Sequence, residues 1–280
     1  MTTTTSELDS LLRLLGDRDV IQLGQILQHG TQRYGVAPPF MRSLTSRHGE
    51  RIVVVPGQSP DISSASDAFS MGTHTGTHMD SLSHVSYRGG LADGTHIDEP
   101  GVQGDATGVR MKTREAFSPI VSRGVLLDFT AARGVTRLPR DAELTAADFE
   151  GCCQALGVDV RAGDTVLVRT GWDTLCDDAE AYLSMPIPGP GVEAARWLAE
   201  RKIVATGSDT MPYEAAPGSS PMEPHSILIP QSGIFIFEMM DLKELAARKI
   251  YEFLFVALPL RIDGGTGSPI NPIALVPKAT

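Results

Sequence analysis

Between Met71 and Val85 the chain reads MGTHTGTHMDSLSHV, which places three of its seven histidines and one carboxylate within the eleven residues from His74 to His84. Imidazole and carboxylate together suit zinc, manganese or ferrous iron, and affinity order alone does not choose among them. On a helix His74 and His78 would share a face, but Thr75, Gly76 and Thr77 between them are poor helix formers. An extended chain is the better expectation. Its period of two turns His74, Gly76, His78, Asp80, Leu82 and His84 to one side. Fully extended, His74 and His78 would lie about 13 Å apart, marginal for two imidazoles meeting one ion, so a bend is expected at Gly76, which has no Cβ to restrict it. His78 and Asp80, about 7 Å apart on a strand, reach one ion without a bend. A His/His/Asp set leaves positions open for water and substrate, as catalytic sites do, whereas structural sites are usually closed by four protein ligands. A closed, non-catalytic metal-binding module is the competing expectation.

The elements that must hold this cluster are read from periodicity. A helix is expected over 6–15, with Ser6 as its cap and Leu8, Leu11, Leu12 and Leu15 on one face. A strand over 51–55 and a polar loop over 56–67 follow, and the glycine-rich, charged stretch 89–113 reads as a long surface excursion. The second half alternates. Strands are expected over 124–129, 164–170 and 203–207, and helices over 191–200 and 145–156, the latter with Thr145 as cap and Asp148 at the capping-box position. Strands over 227–229 and 233–239, a helix over 242–247 and a last strand near 251–260 complete a mixed α/β pattern.

Composition narrows the function classes. The 280 residues suit one domain, with residues 1–50 as an N-terminal extension packed on it, and 41% hydrophobic with 21% charged residues is an ordinary globular balance. A net charge of −10 disfavours nucleic acid and anionic membrane surfaces as partners. The N-terminus lacks a signal-peptide pattern and no apolar run is long enough to span a bilayer, so a cytoplasmic protein is expected. Cys152, Cys153 and Cys176 read as reduced packing residues, since no reactive-thiol pattern surrounds them. His29, His48 and His96 are isolated, and Asp128 and Asp209 fit either support for the site or turn and cap roles. There is no Gly-x-Ser-x-Gly elbow, and DGGTGSP lacks the lysine of a P-loop.

HTGTHMDSLSH resembles the His-x-Gly-Thr-His-x-Asp-x-x-x-His signature of the cyclase family of metal-dependent hydrolases, which includes bacterial kynurenine formamidases, isatin hydrolases and some lactam-hydrolysing enzymes. The resemblance runs over about 51–276 and takes in TGW (170–172), SDT (208–210), His225, Glu238 and the ending DGGTGSPINPIALV. It implies that His74, His78 and Asp80 bind metal, zinc or manganese, that His84 transfers or orients a proton, and that His225 and Glu238 complete a second ion site with Asp80 as bridge. Glu238 lies in the apolar run GIFIFEMM, where a buried carboxylate without a partner costs several kcal/mol, so it needs a cation or a donor. Trp172 and Tyr213 are candidates to line a pocket for a small-molecule substrate. The implied fold is α/β, a swivelling β/β/α-type mixed sheet or barrel-like core with flanking helices, assembled as a homo-oligomer, dimer or tetramer, with sites close to subunit contacts. The implied reaction is hydrolysis of a C–N bond in a lactam, imide, isatin-like ring or N-formyl amide by metal-activated water, with a lyase or ring-closing dehydration as the alternative. One departure is local: Ser81, Leu82 and Ser83 stand where short family members commonly carry proline.

Overall fold

The strand TVLVR is buried at every position, whereas EFLFVA near the C-terminus alternates buried residues with exposed or half-buried ones. The first pattern belongs inside a sheet covered on both faces and the second to a strand with one face outward. Both lie in one nine-stranded mixed sheet in the computed structural model, which describes residues 9, 16, 18–33, 35–50, 59, 61–113 and 116–278. The strands are β1 (Arg18–Gln22), β2 (His78–Asp80), β3 (Ile120–Asp128), β4 (Thr165–Arg169), β5 (Ala205–Ser208), β6 (Phe235–Glu238), β7 (Glu252–Ala257), β8 (Gly267–Pro269) and β9 (Ile273–Pro277). Their order across the sheet is β1-β9-β7-β3-β4-β5-β6-β2-β8. The run β3-β4-β5-β6 is parallel and every other pairing is antiparallel.

The sheet curls into a half-barrel. Its inner side holds a core drawn from all strands but β8, including Ile21, Met79, Leu126, Leu167, Phe237, Phe255 and Val276. Among the described residues six α-helices accompany it: α1 (Phe129–Arg133), α2 (Ala146–Leu156), α3 (Ala179–Leu183), α4 (Val192–Glu200), α5 (Glu223–Ser232) and α6 (Lys243–Ala247). Of these, α2, α4 and α5 cover the outer face of the parallel strands, where Phe149, Trp197 and Leu228 meet Val125, Val166 and Ile236. Period two explains the division, since Leu126, Leu167 and Phe237 point inward and their chain neighbours outward. Among the described residues no helix is long and apolar enough to cross a membrane.

Helix α2 matches its expectation because its start is written locally: Thr145 accepts from the Asp148 amide while the Asp148 carboxylate accepts from the Thr145 amide. Residues 227–229, expected as a strand, are instead the middle of α5. A short apolar run does not distinguish a strand from a buried helical turn, and here Gly233 closes a helix in the left-handed conformation. The last strand is shorter than expected, and β8 and β9 follow it, short segments bounded by prolines. The excursion over 89–113 contains a hairpin of two-residue strands and a small core of its own, with Leu91, Val102 and Met111 buried. Residues 18–22, within the expected N-terminal extension, supply the edge strand β1. Apart from residue 9, the helix expected over 6–15 lies outside the described residues, as does the strand over 51–55, and the loop over 56–67 ends in a hairpin strand beginning at Ser66.

Strand β2 is the element that matters for chemistry. Only three residues long, it lies between β6 and β8, and its register sets His78 opposite Glu238 and Asp80 opposite Ile236. Met79 enters the inner core, so His78, Asp80 and Glu238 all face the helix-covered side, at the C-terminal end of β6.

Candidate metal centre

Two triads of ligand atoms meet on that face: His74, His78 and Asp80, and Asp80, His225 and Glu238, the donor atoms of each lying within 4.8 Å of one another. His78 Nε2 is 3.5 Å from Asp80 Oδ1 and 3.3 Å from Glu238 Oε2, while His225 Nε2 is 3.4 Å from both Asp80 Oδ2 and Glu238 Oε1. His74 Nδ1 comes to 2.9 Å from Asp80 Oδ1. His78 Nε2 and both Asp80 oxygens are buried without a hydrogen-bond partner. Orphaned acceptors of this kind are costly unless something cationic lies between them. The residues therefore fit a divalent ion in each triad, with Asp80 common to both.

Each histidine is turned by a bond on its outer nitrogen. His78 donates Nδ1–H to the Gly76 carbonyl at 2.8 Å, His74 Nε2 lies 3.2 Å from Thr266 Oγ1, and His225 Nδ1 is hydrogen-bonded to Glu214. A ring tied this way presents its other nitrogen, with a free lone pair, to the centre. Glycines make room. Gly76 has φ +62°, the bend the spacing requires, and Gly267 on β8 passes so close to His74 that an added Cβ would lie 2.6 Å from the ring. Gly267→Ala should push the His74 ring out of its triad and weaken the first ion about 10- to 100-fold, the usual scale for disturbing a ligand's support; calorimetric titration of the metal-free protein checks it.

The electrostatics follow from burial against close counter-charges. Burial alone would raise the Asp80 pKa, but His84, His225, His74 and His78 around it hold it well below the usual carboxylate range. Glu238 is likewise opposed by burial and lowered to about 2 by His225 and His78. Burial disfavours protonated His225, yet Glu214, Asp80 and Glu238 outweigh it and raise its pKa well above the ordinary value. His78 is raised too, its burial outweighed by Glu238 and Asp80. His84 differs: burial, with His74 and His225 nearby, lowers its pKa against the pull of Asp80.

Every expected ligand is thus brought to one place, though not by one extended strand. Only His78 and Asp80 share β2; His74 precedes it in a turn and His84 follows in another, its amide bonded to the Ser81 carbonyl at 3.1 Å. His84 belongs to neither triad, and its ring lies 4.3 Å from that of His74 and 6.3 Å from that of His225. His225 lies in the first turn of α5 and not at a strand start. Trp172 and Tyr213, the candidates to line a pocket, are both fully buried, with the Trp172 indole bonded to the Tyr182 carbonyl and the Tyr213 hydroxyl to Thr206. Tyr213 touches the centre through its backbone, whose N–H donates to Glu238 Oε1 at 2.7 Å. Asp128 caps α1. Three supporting residues went unnoticed in the sequence, Glu214, Thr266 and Gly267, the last two within the glycine-rich ending.

A curled mixed sheet that gathers imidazoles and carboxylates into two triads around one aspartate defines an α/β metal-centre protein. The chain belongs to the Cyclase family, whose model, described as "Putative cyclase", matches residues 21–215 and so spans the first triad and His84. It is similar to an isatin hydrolase of Roseibium aggregatum, 27% identical over 278 residues and 95% of each chain. Among solved structures it resembles one described as a novel cyclase, with a TM-score of 0.81 at 24% identity over 97% of this chain and 91% of that one. Isatin hydrolase A from Ralstonia solanacearum gives a TM-score of 0.72 at 25% identity, over 99% of this chain and 98% of that one.

Proposed function

We propose that this chain is a metal-dependent hydrolase that opens the C–N bond of a small cyclic amide, a lactam, imide or isatin-like ring, with His74, His78 and Asp80 holding one ion and Asp80, His225 and Glu238 a second. The observation that carries this reading is the division of labour among the histidines: three aim a free nitrogen at Asp80, and a fourth, His84, stands beside them outside both triads. Similarity along 95% of the chain to an isatin hydrolase supports the cyclic amide as substrate class. Zinc or manganese suits the imidazole and carboxylate donors. When bound, such an ion supplies Lewis acidity, making water acidic enough to attack at neutral pH and polarising the amide carbonyl.

The chain's own groups do the rest. His84, its pKa lowered, is neutral near pH 7 and can take a proton from the attacking water and give it to the departing amide nitrogen, the same imidazole serving as base and then acid. Asp80 stays ionised throughout, because its folded pKa lies far below that range. A homo-oligomer, dimer or tetramer, also fits. The hairpin of Met41–Ser46 and Ser66–Ser70 leaves Met41, Leu44 and Phe69 exposed, and an isolated hairpin is marginal without a covering surface.

The test is turnover of a panel of cyclic and N-formyl amides by protein reloaded with zinc or manganese. His84→Ala should keep its metal content while kcat falls about 100- to 10,000-fold, the range for loss of a general acid–base group. Metal held tightly with no turnover on any panel member would end the hydrolase reading, and an unchanged kcat in His84→Ala would remove that residue from it.

A further inference from the structure

The histidine supports are not alike. His74 and His78 lean on neutral groups, a threonine hydroxyl and a peptide carbonyl, whereas His225 leans on a carboxylate. Glu214, 4% exposed, binds His225 Nδ1 with one oxygen and accepts the Met222 N–H at 3.1 Å with the other, so a single side chain fixes both the start of α5 and the ring that α5 presents. An anionic acceptor raises the basicity of the opposite nitrogen and locks its direction more firmly than a neutral one.

Charge makes the same point. Asp80, Glu214 and Glu238 are buried together, and among the described residues their ion-pair partners are histidines only, with no arginine or lysine. With the imidazoles neutral, three negative charges face one divalent ion in the first triad and leave one uncompensated. A second divalent ion turns that deficit into a single positive charge, matched to the carboxylate that amide hydrolysis produces. Buried charge without compensation is strongly unfavourable, so the third carboxylate is met either by a proton on His225 or by a second cation, and the convergence of His225 Nε2, Asp80 and Glu238 donor atoms suits the cation.

We propose that Glu214 is a positioning residue for a second divalent cation held by Asp80, His225 and Glu238, and that the ion of the first triad does not depend on it. This rests on the metal-dependent reading above. Metal-free protein titrated calorimetrically with Mn²⁺ and with Zn²⁺, and analysed for metal after desalting, should take two ions. In Glu214→Gln one ion should bind as before and the other about 10- to 100-fold more weakly. The amide oxygen can still accept from Met222, so the chelated variant should melt close to the parent. Glu214→Asp, which keeps the charge on a shorter arm, should fall between the two in second-ion affinity. Two ions held undiminished by Glu214→Gln, or a parent that takes only one, would overturn the proposal and leave the hydrolase reading standing; a parent that takes none would overturn that reading itself.

Discussion

Asp80→Asn should lose both ions and reduce turnover by at least about 1000-fold, equivalent to about 4 kcal/mol of transition-state stabilisation. No other side chain belongs to both triads. Its Oδ1 faces His74 and His78 and its Oδ2 faces His225, so each oxygen serves a different set. Asparagine keeps the size but supplies one weak neutral oxygen and, on the other side, an N–H group with no lone pair. Whichever way the amide is turned, one triad receives a donor where it needs an acceptor. Thermal melting separates this from simple unfolding. Ligand that binds only the native state stabilises by about 4 kcal/mol at a thousandfold excess over Kd, so the parent should lose melting temperature on chelation and Asp80→Asn should not respond. Retained metal stoichiometry in Asp80→Asn would show that the aspartate is not shared.

Much of this centre was visible in the spacing of one segment, and the parts that were not have a common cause. His78 and Asp80 follow period two because β2 is a true strand, and Gly76 bends the chain where two imidazoles had to converge. His74 did not obey the same parity. Its position is decided by Gly267 and Thr266, almost two hundred residues later, whose approach no local pattern announces. The same holds for Glu214: nothing in MPYEAAP distinguishes a glutamate that will meet His225 from one left in solvent. For the fold, α2 was legible because its cap is written within four residues. By contrast residues 227–229 read as a strand rather than the middle of α5, since Ile227, Leu228 and Ile229 are buried on all sides and a segment buried all round has no period to read.

The motifs TGW and SDT, which supply no ligand, converge on a second buried cluster whose disruption carries the largest stability effect. Arg169 grips Asp173 with two bonds, Nε to Oδ2 at 2.9 Å and Nη2 to Oδ1 at 3.0 Å, and gives Nη1 to Thr130 at 2.7 Å, with Asp128 at 3.5 Å. Asp209 accepts from the Thr170 amide and hydroxyl and from the Asp173 amide. Three buried acids thus surround one guanidinium. Burial, then the nearby Asp173, pushes Asp209 up to about 7, and burial raises Asp173 despite the pull of Arg169. Arg169→Met removes the arginine paired with Asp173 and should cost about 3–5 kcal/mol, the scale for breaking a buried pair from one side. The pH dependence has a definite sign. Both carboxyls have folded pKa values above their unfolded ones, so what they contribute is present in full below about pH 4 and is lost as pH rises through the folded values, about 7 for Asp209. Without the guanidinium those values rise further, and the acids remain neutral over a wider range. The deficit of Arg169→Met should therefore be small near about pH 5, where protonation spares the buried charges, and largest near about pH 8. Urea unfolding of the chelated proteins at both pH values reads this directly, and a deficit equal at the two would show that the arginine acts through packing alone. Chelation matters, because the segment that starts at Ser208 and Asp209 ends at Glu214, and loosening one end would otherwise be masked by cations bound at the other.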